Sequence, residues 1–152
     1  MINRPKILIN VFIFNSQGNK LLLGKRYDDG HFTTINGKLD YGEGFEDCAY
    51  RILSSLANIL LEDQDRLKFL CTYNVVDKES NLHFVSIDYQ LELSKEDEKS
   101  YLMIDSYHFQ TWSWFSFEEV LKMEDILSSG LKVFLKKFSI NSLEGIKSLI
   151  SN

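Results

Sequence analysis

The chain has 152 residues, 44% hydrophobic and 13% aromatic, which suits one domain with a substantial buried core. Seventeen Lys and Arg against twenty-two Asp and Glu leave a formal net charge of −5, which argues against a general nucleic-acid binder because that function shows as a basic balance. The apolar run in "MINRPKILINVFIF" is too short to span a bilayer, is broken by Asn10 and carries no small-residue cleavage site, so a soluble, cytoplasmic protein without a membrane partner is expected.

In chain order, "KILINVFIF" is rich in β-branched and aromatic residues and ends at the turn "NSQGN", with "KLLLGKR" beyond it. Residues 6–14 and 20–26 therefore read as a hairpin. The glycine-rich "YDDGHFTTINGKLDYGEG" reads as an ordered loop with short strands. Residues 45–60 carry a helical period. "RLKFLCTYNVV" and "LHFVSIDYQLEL" read as two long strands joined by the polar turn "DKESN". The charged "SKEDEKSYLMIDS" reads as a solvated surface loop.

"YHFQTWSWFSF" is another strand, and "SFEEVLKM" opens a helix with a Ser cap and two glutamates. "DILSSGLKVFLKKF" and "SLEGIKSLI" read as C-terminal helices. Antiparallel strands grouped around one helix predict an α+β fold, an α/β/α sandwich, in a single domain spanning residues 1–152. The two cysteines, Cys48 and Cys71, show no metal-type spacing and are expected to be reduced and buried. His31, His83 and His108 form no ligand spacing.

Residues 37–59 resemble the Nudix box. That pattern is Gly, five residues, Glu, seven residues, then Arg-Glu-aliphatic-any-Glu-Glu-any-Gly-aliphatic. Here Gly37, Glu43 and Arg51 stand at that spacing, with Leu53 and Ile59 at the aliphatic positions. The flanking "LLLGKR", "GHF", "DYGEGFEDCAYR" and "WSWFSFEEVL" extend the likeness over roughly residues 5–138. The chain looks like a MutT-like nucleotide diphosphatase of the Nudix family, which implies a Nudix fold with a mixed or antiparallel sheet. Such enzymes cut a diphosphate bond, usually with Mg²⁺ held by helix carboxylates. The metal polarises the phosphoryl oxygens and acidifies the attacking water.

The resemblance fails at its chemical centre. The three box glutamates map to Ile52, Ser55 and Leu56, and the terminal Gly maps to Asn58. On a helix turning about 100° per residue, with Phe45 at zero, Ile52 lies near 340°, Ser55 near 280° and Leu56 near 20°. Glu46 and Asp47 point elsewhere. Phe45, Cys48, Ala49, Ile52, Leu53, Leu56, Ile59 and Leu60 form one apolar stripe, the face of a core-packing helix.

No cofactor is expected. Mg²⁺ or Mn²⁺ would enter only if the chain were an active hydrolase with a displaced site, for which Asp40, Glu43 and Glu96 are the candidates. Glu43 and Arg51 are expected to pair and pin the loop to the helix. Lys25 and Arg26, matching the family's "GKR", and Phe32 and Gly130 are candidate phosphate or ligand contacts. Ser128 and Ser129 stand where similar proteins carry base-stacking aromatics. Trp112 and Trp114 alternate on a strand, as core residues do. The leading expectation is a Nudix-fold pseudoenzyme, acting as a nucleotide-like ligand-binding or interaction module. The alternatives are an active hydrolase of nucleoside triphosphates or other nucleoside diphosphate derivatives, and a structural dimer. A homodimer is implied by the resemblance alone.

Overall fold

A computed structural model describes residues 3–62, 64–100 and 109–151. The strands are β1 (Lys6–Phe14), β2 (Leu21–Arg26), β3 (Phe32–Thr33), β4 (Ile35–Lys38), β5 (Lys68–Asp77), β6 (Leu82–Glu92) and β7 (Phe109–Phe115). The helices are α1 (Phe45–Ala57), α2 (Lys95–Ser100), α3 (Phe117–Lys122), α4 (Ser129–Lys137) and α5 (Leu143–Lys147). Among the described residues no helix is long and apolar enough to cross a membrane.

One mixed sheet runs in the order β3-β2-β1-β6-β5, with β4 against β1 and β7 against β2. β1 is its spine and is buried from Ile9 to Phe14. Because side chains alternate along a strand, β1 feeds two cores. Ile9, Val11 and Ile13 pack with α1, while Phe12 and Phe14 pack with α4 and α5. This is the expected α/β/α sandwich.

The expected hairpin is almost absent. β1 and β2 share one residue pair, Phe14 with Leu21. A strand buried on both faces needs partners on both edges. β1 takes β6 in parallel along its whole length, and β4 antiparallel at Leu8–Val11. β2 diverges and pairs with β7 and β3 instead.

The predicted helix over 45–60 stops at Ala57. Asn58 takes the left-handed conformation, φ 55°, and the Asn58 and Ile59 N–H groups bond back to Ser54 and Leu53. That closes the helix as a left-handed C-terminal turn. Ile59 returns to the core from outside the helix, while Leu60 is 63% exposed and Phe45, at the other end, 43% exposed. The apolar stripe is therefore shorter than its sequence period.

The charged segment after β6 is also not all loop. Ser94 and Asp97 cap each other's backbone N–H groups, Arg66 pairs with Asp97, and α2 starts at that cap. Residues 101–106 of that segment, and His108, lie outside the described residues. Ser116 and Glu119 form the reciprocal capping box that opens α3, as its sequence suggests. α4 starts only at Ser129, after a 3₁₀ turn over Glu124–Ile126.

Candidate functional site

The loop between β4 and α1 is tied down by one guanidinium. Arg51 donates from Nε to Glu43 Oε2 at 2.8 Å and from Nη2 to Glu43 Oε1 at 3.0 Å. Its Nη2 also donates to the Lys38 carbonyl at 2.8 Å, and Asp40 Oδ2 lies 3.5 Å away. Glu43 Oε1 accepts the Asp40 N–H at 3.1 Å. The Arg51 guanidinium and that N–H hold the Glu43 carboxyl down at about 2. Burial, with Glu43 nearby, pushes the Cys48 thiol up to about 12, so it stays protonated and inert. Cys48 and Cys71 are both free and buried.

The α1 face behind this loop is apolar. Ile52 is 2% exposed and lies in the core with Leu53, Leu56 is half-buried against the same core, and Ser55 is exposed. Ile52 packs on Gly37, where an added β-carbon would stand 2.5 Å from Ile52 Cγ2. A hard divalent cation needs several oxygen ligands converging on one point. Asp40 and Glu43 converge on Arg51, Glu96 sits on α2, and among the described residues no three His, Cys, Asp or Glu side chains form a metal-holding group. The donor set does not fit such an ion.

A cleft of about 760 Å³ opens on the β4–β1–β6–β5 side of the molecule, roofed by the start of α4. Its walls carry Arg4, Lys6, Arg26, Lys38 and Lys78 against the carboxylates of Asp29 and Asp77. In a chain of net charge −5, this is a local excess of positive charge. Of the four predicted ligand contacts, Arg26 and Gly130 line the cleft, and Lys25 and Phe32 are not among its lining residues. Arg26 is itself paired with Asp28 and Asp29 at 3.2 and 3.3 Å. Phe32 packs edge-on against Phe115, centroids 5.5 Å apart, and fills the second core.

Ser128 and Ser129 line the cleft. Ser128 caps α4 through the Leu131 N–H and donates to Thr33 Oγ1 at 3.1 Å. Trp112 and Trp114 are half-buried against the α1-side core.

The cleft floor is a polar layer that sequence reasoning missed. Asp88 stands opposite Asn10 of β1 and Cys71 of β5, and Ser86 stands opposite Tyr73. Asp88 is 0% exposed. Ser86 Oγ donates to Asp88 Oδ1, Thr34 Oγ1 donates to Asn10 Oδ1, and Cys71 Sγ lies 3.9 Å from Asp88 Oδ2. Burial raises the Asp88 carboxyl from 3.8 to about 7, against the opposing pull of hydrogen bonds from Ser86, Tyr73, Asn10 and Cys71. The same burial, and the charge of Asp88, push the Tyr73 phenol far up. The signal for this layer is Asn10 interrupting the apolar "LINVF" and the charged Asp88 in the strand "SIDYQ". Only the parallel β1–β6 register makes the two coincide.

The chain matches the NUDIX domain over residues 4–138. Its fold is similar to that of a MutT NUDIX hydrolase from Burkholderia pseudomallei, with TM-score 0.71 at 20% identity over 88% of this chain and 98% of that one. A MutT protein from Methanosarcina mazei Go1 gives TM-score 0.70 at 19% identity, covering 91% of this chain and 96% of the other. The NUDIX domain of Shewanella oneidensis NrtR, solved with ADP ribose, gives TM-score 0.67 at 16% identity over 91% of each chain. With the family matched along nearly the whole sandwich and the loop–helix unit in place, this chain belongs to the NUDIX domain family.

Proposed function

We propose that this Nudix domain has lost metal-dependent diphosphohydrolysis and serves as a binding module for a nucleotide-like anion. The observation that carries the proposal is the burial of Ile52 against Gly37, at the position where the family pattern places its first box glutamate. Ser55 and Leu56 stand at the other two glutamate positions. Removing one group that stabilises developing charge costs roughly 10²–10³ in rate. Loss of a whole ligand set goes further, though such losses do not add simply.

Ligand binding is supported by the cationic cleft walls, which attract phosphate without a metal. It is also supported by the similar NrtR domain, which was solved with ADP ribose. The test has two arms. A panel of nucleoside triphosphates, dinucleotides and ADP ribose with Mg²⁺ or Mn²⁺ is expected to give no phosphate or pyrophosphate release. The same panel in EDTA is expected to raise the melting temperature, because a ligand at about 100 Kd stabilises the folded state by about 2.7 kcal/mol. Metal-dependent turnover abolished by substitution of Asp40, Glu43 or Glu96 would overturn the proposal.

A further inference from the structure

The polar layer under the cleft has no part in the Nudix box, and its arrangement is chemically specific. Asp88 lies in the middle of β6, flanked by β1 and β5, on the sheet face covered by α4. A buried carboxylate is costly unless hydrogen-bonded. The titratable groups facing it are Cys71 and Tyr73, both of β5. β1 contributes the neutral Asn10 and β6 the neutral Ser86, while α4 packs the apolar Leu131 and Phe134 into the same core. Asn10, Tyr73 and Ser86 also line the cleft. A ligand therefore meets not Asp88 but the groups that Asp88 orients.

A hydroxyl has a single proton to donate and two lone pairs. While Asp88 is ionised, the Ser86 proton is committed to it, and Ser86 turns only lone pairs to the cleft. Once Asp88 is protonated it can donate in its turn, and Ser86 is free to donate to a ligand. We infer that Asp88 is a positioning residue that sets, through Ser86, the hydrogen-bonding sense of the cleft floor, so that the cleft selects an anion whose inner end donates hydrogen bonds, such as a nucleotide with a donor-bearing base edge. This rests on the binding role proposed above and adds its selectivity. The raised Asp88 carboxyl places the change of sense near neutral pH.

The test compares two probes on the full chain in EDTA, guanosine 5′-monophosphate and purine riboside 5′-monophosphate. They share the phosphate and the fused ring, but only the first has donors on its base. Phosphate titration, near pH 6, is common to both and cancels in the ratio of their Kd values. From about pH 8 to about pH 5.5 the wild-type preference for the guanine probe is expected to fall several-fold, at most about tenfold per pH unit for one linked proton. Asp88→Asn, neutral throughout, keeps a preference that does not change with pH. Ser86→Ala, which removes the hydroxyl itself, binds both probes with little preference.

A wild-type ratio that is flat with pH overturns the inference and leaves the binding role standing. So does an Asp88→Asn protein with the wild-type profile. If neither probe binds the wild type at any pH while circular dichroism shows it folded, this inference falls, and the binding role falls with it only if the triphosphates, dinucleotides and ADP ribose also leave the melting temperature unchanged in EDTA.

Discussion

Gly37 and Ile52 are in direct contact: a β-carbon on residue 37 would stand 2.5 Å from Ile52 Cγ2, closer than real side-chain contacts come. The glycine serves close approach here. Loop and helix are one packing unit at the point where the family's chemistry would be centred. Gly37→Ala is expected to cost about 1–3 kcal/mol by overpacking. Ile52→Ala costs about 2–4 kcal/mol through the cavity it leaves. The double variant, in which the clash is gone, should be more stable than the sum of the two by about 1 kcal/mol. Urea unfolding of the four proteins measures this, and strict additivity would mean that the two residues do not touch.

The same contact decides what restoring the box acids would do. Ile52→Glu places a carboxylate at a position 2% exposed, inside the α1-side core. A loss of about 3–5 kcal/mol is expected at neutral pH, partly recovered in acid as the new carboxyl protonates. The triple variant with Glu at positions 52, 55 and 56 is expected to be less stable still and to hydrolyse no nucleotide. A stably folded triple variant that turns over nucleotides with Mg²⁺ would show that α1 can rotate its face toward the loop.

Local chemistry made much of this molecule legible in advance. The Ser116 cap, the strand periods and the Gly37–Glu43–Arg51 spacing each depend on a few neighbouring residues, and all appear in the fold. Features that depend on pairing across the sheet were hidden. Nothing near residues 6–26 says that β1 will leave β2 for β6, because that choice follows from burial on both faces of β1. The helical period runs on to residue 60, whereas Asn58 takes the left-handed conformation and ends α1 at Ala57, which a period of apolar residues does not encode. In the site, Phe32 and Arg26 sit on adjacent short strands, but Phe32 turns into the core and Arg26 to the cleft. That Asp88 meets Asn10, Cys71 and Tyr73 is not legible in the sequence, because those three residues lie on two other strands.

Glu43 and Arg51 give a prediction with a clear pH sense. The folded Glu43 carboxyl is held at about 2, below its ordinary 4.5, by Arg51 and the Asp40 N–H. A depressed carboxyl stabilises the fold above its unfolded value, and that stabilisation is lost as pH falls from about 4.5 toward about 2. Glu43→Gln is expected to lower the melting temperature at pH 7 and to make no difference near pH 2. The side chain reaches solvent, so added salt should shrink the neutral-pH effect. A variant that melts with the wild type at pH 7 would reduce the pair to a surface contact without weight.

Asp88 shifts stability the opposite way. In the unfolded chain its carboxyl ionises near 3.8, while in the fold burial keeps it protonated up to about 7. Below the lower value both states are protonated and Asp88 carries no penalty. Between the two, the unfolded chain releases a proton that the folded chain retains, so stability falls as pH rises. Above the upper value the loss is complete, on the order of 4 kcal/mol. Asp88→Asn has nearly the same shape, stays neutral, and can still accept the Ser86 proton through its carbonyl. It should match the wild type near pH 4 and exceed it at pH 8. Other carboxylates, Glu43 included, titrate alike in both proteins, so the difference between their unfolding free energies isolates Asp88. A difference that stays constant from pH 4 to pH 8 would mean that Asp88 folds as readily charged as neutral, and that the floor of the cleft has no proton to switch.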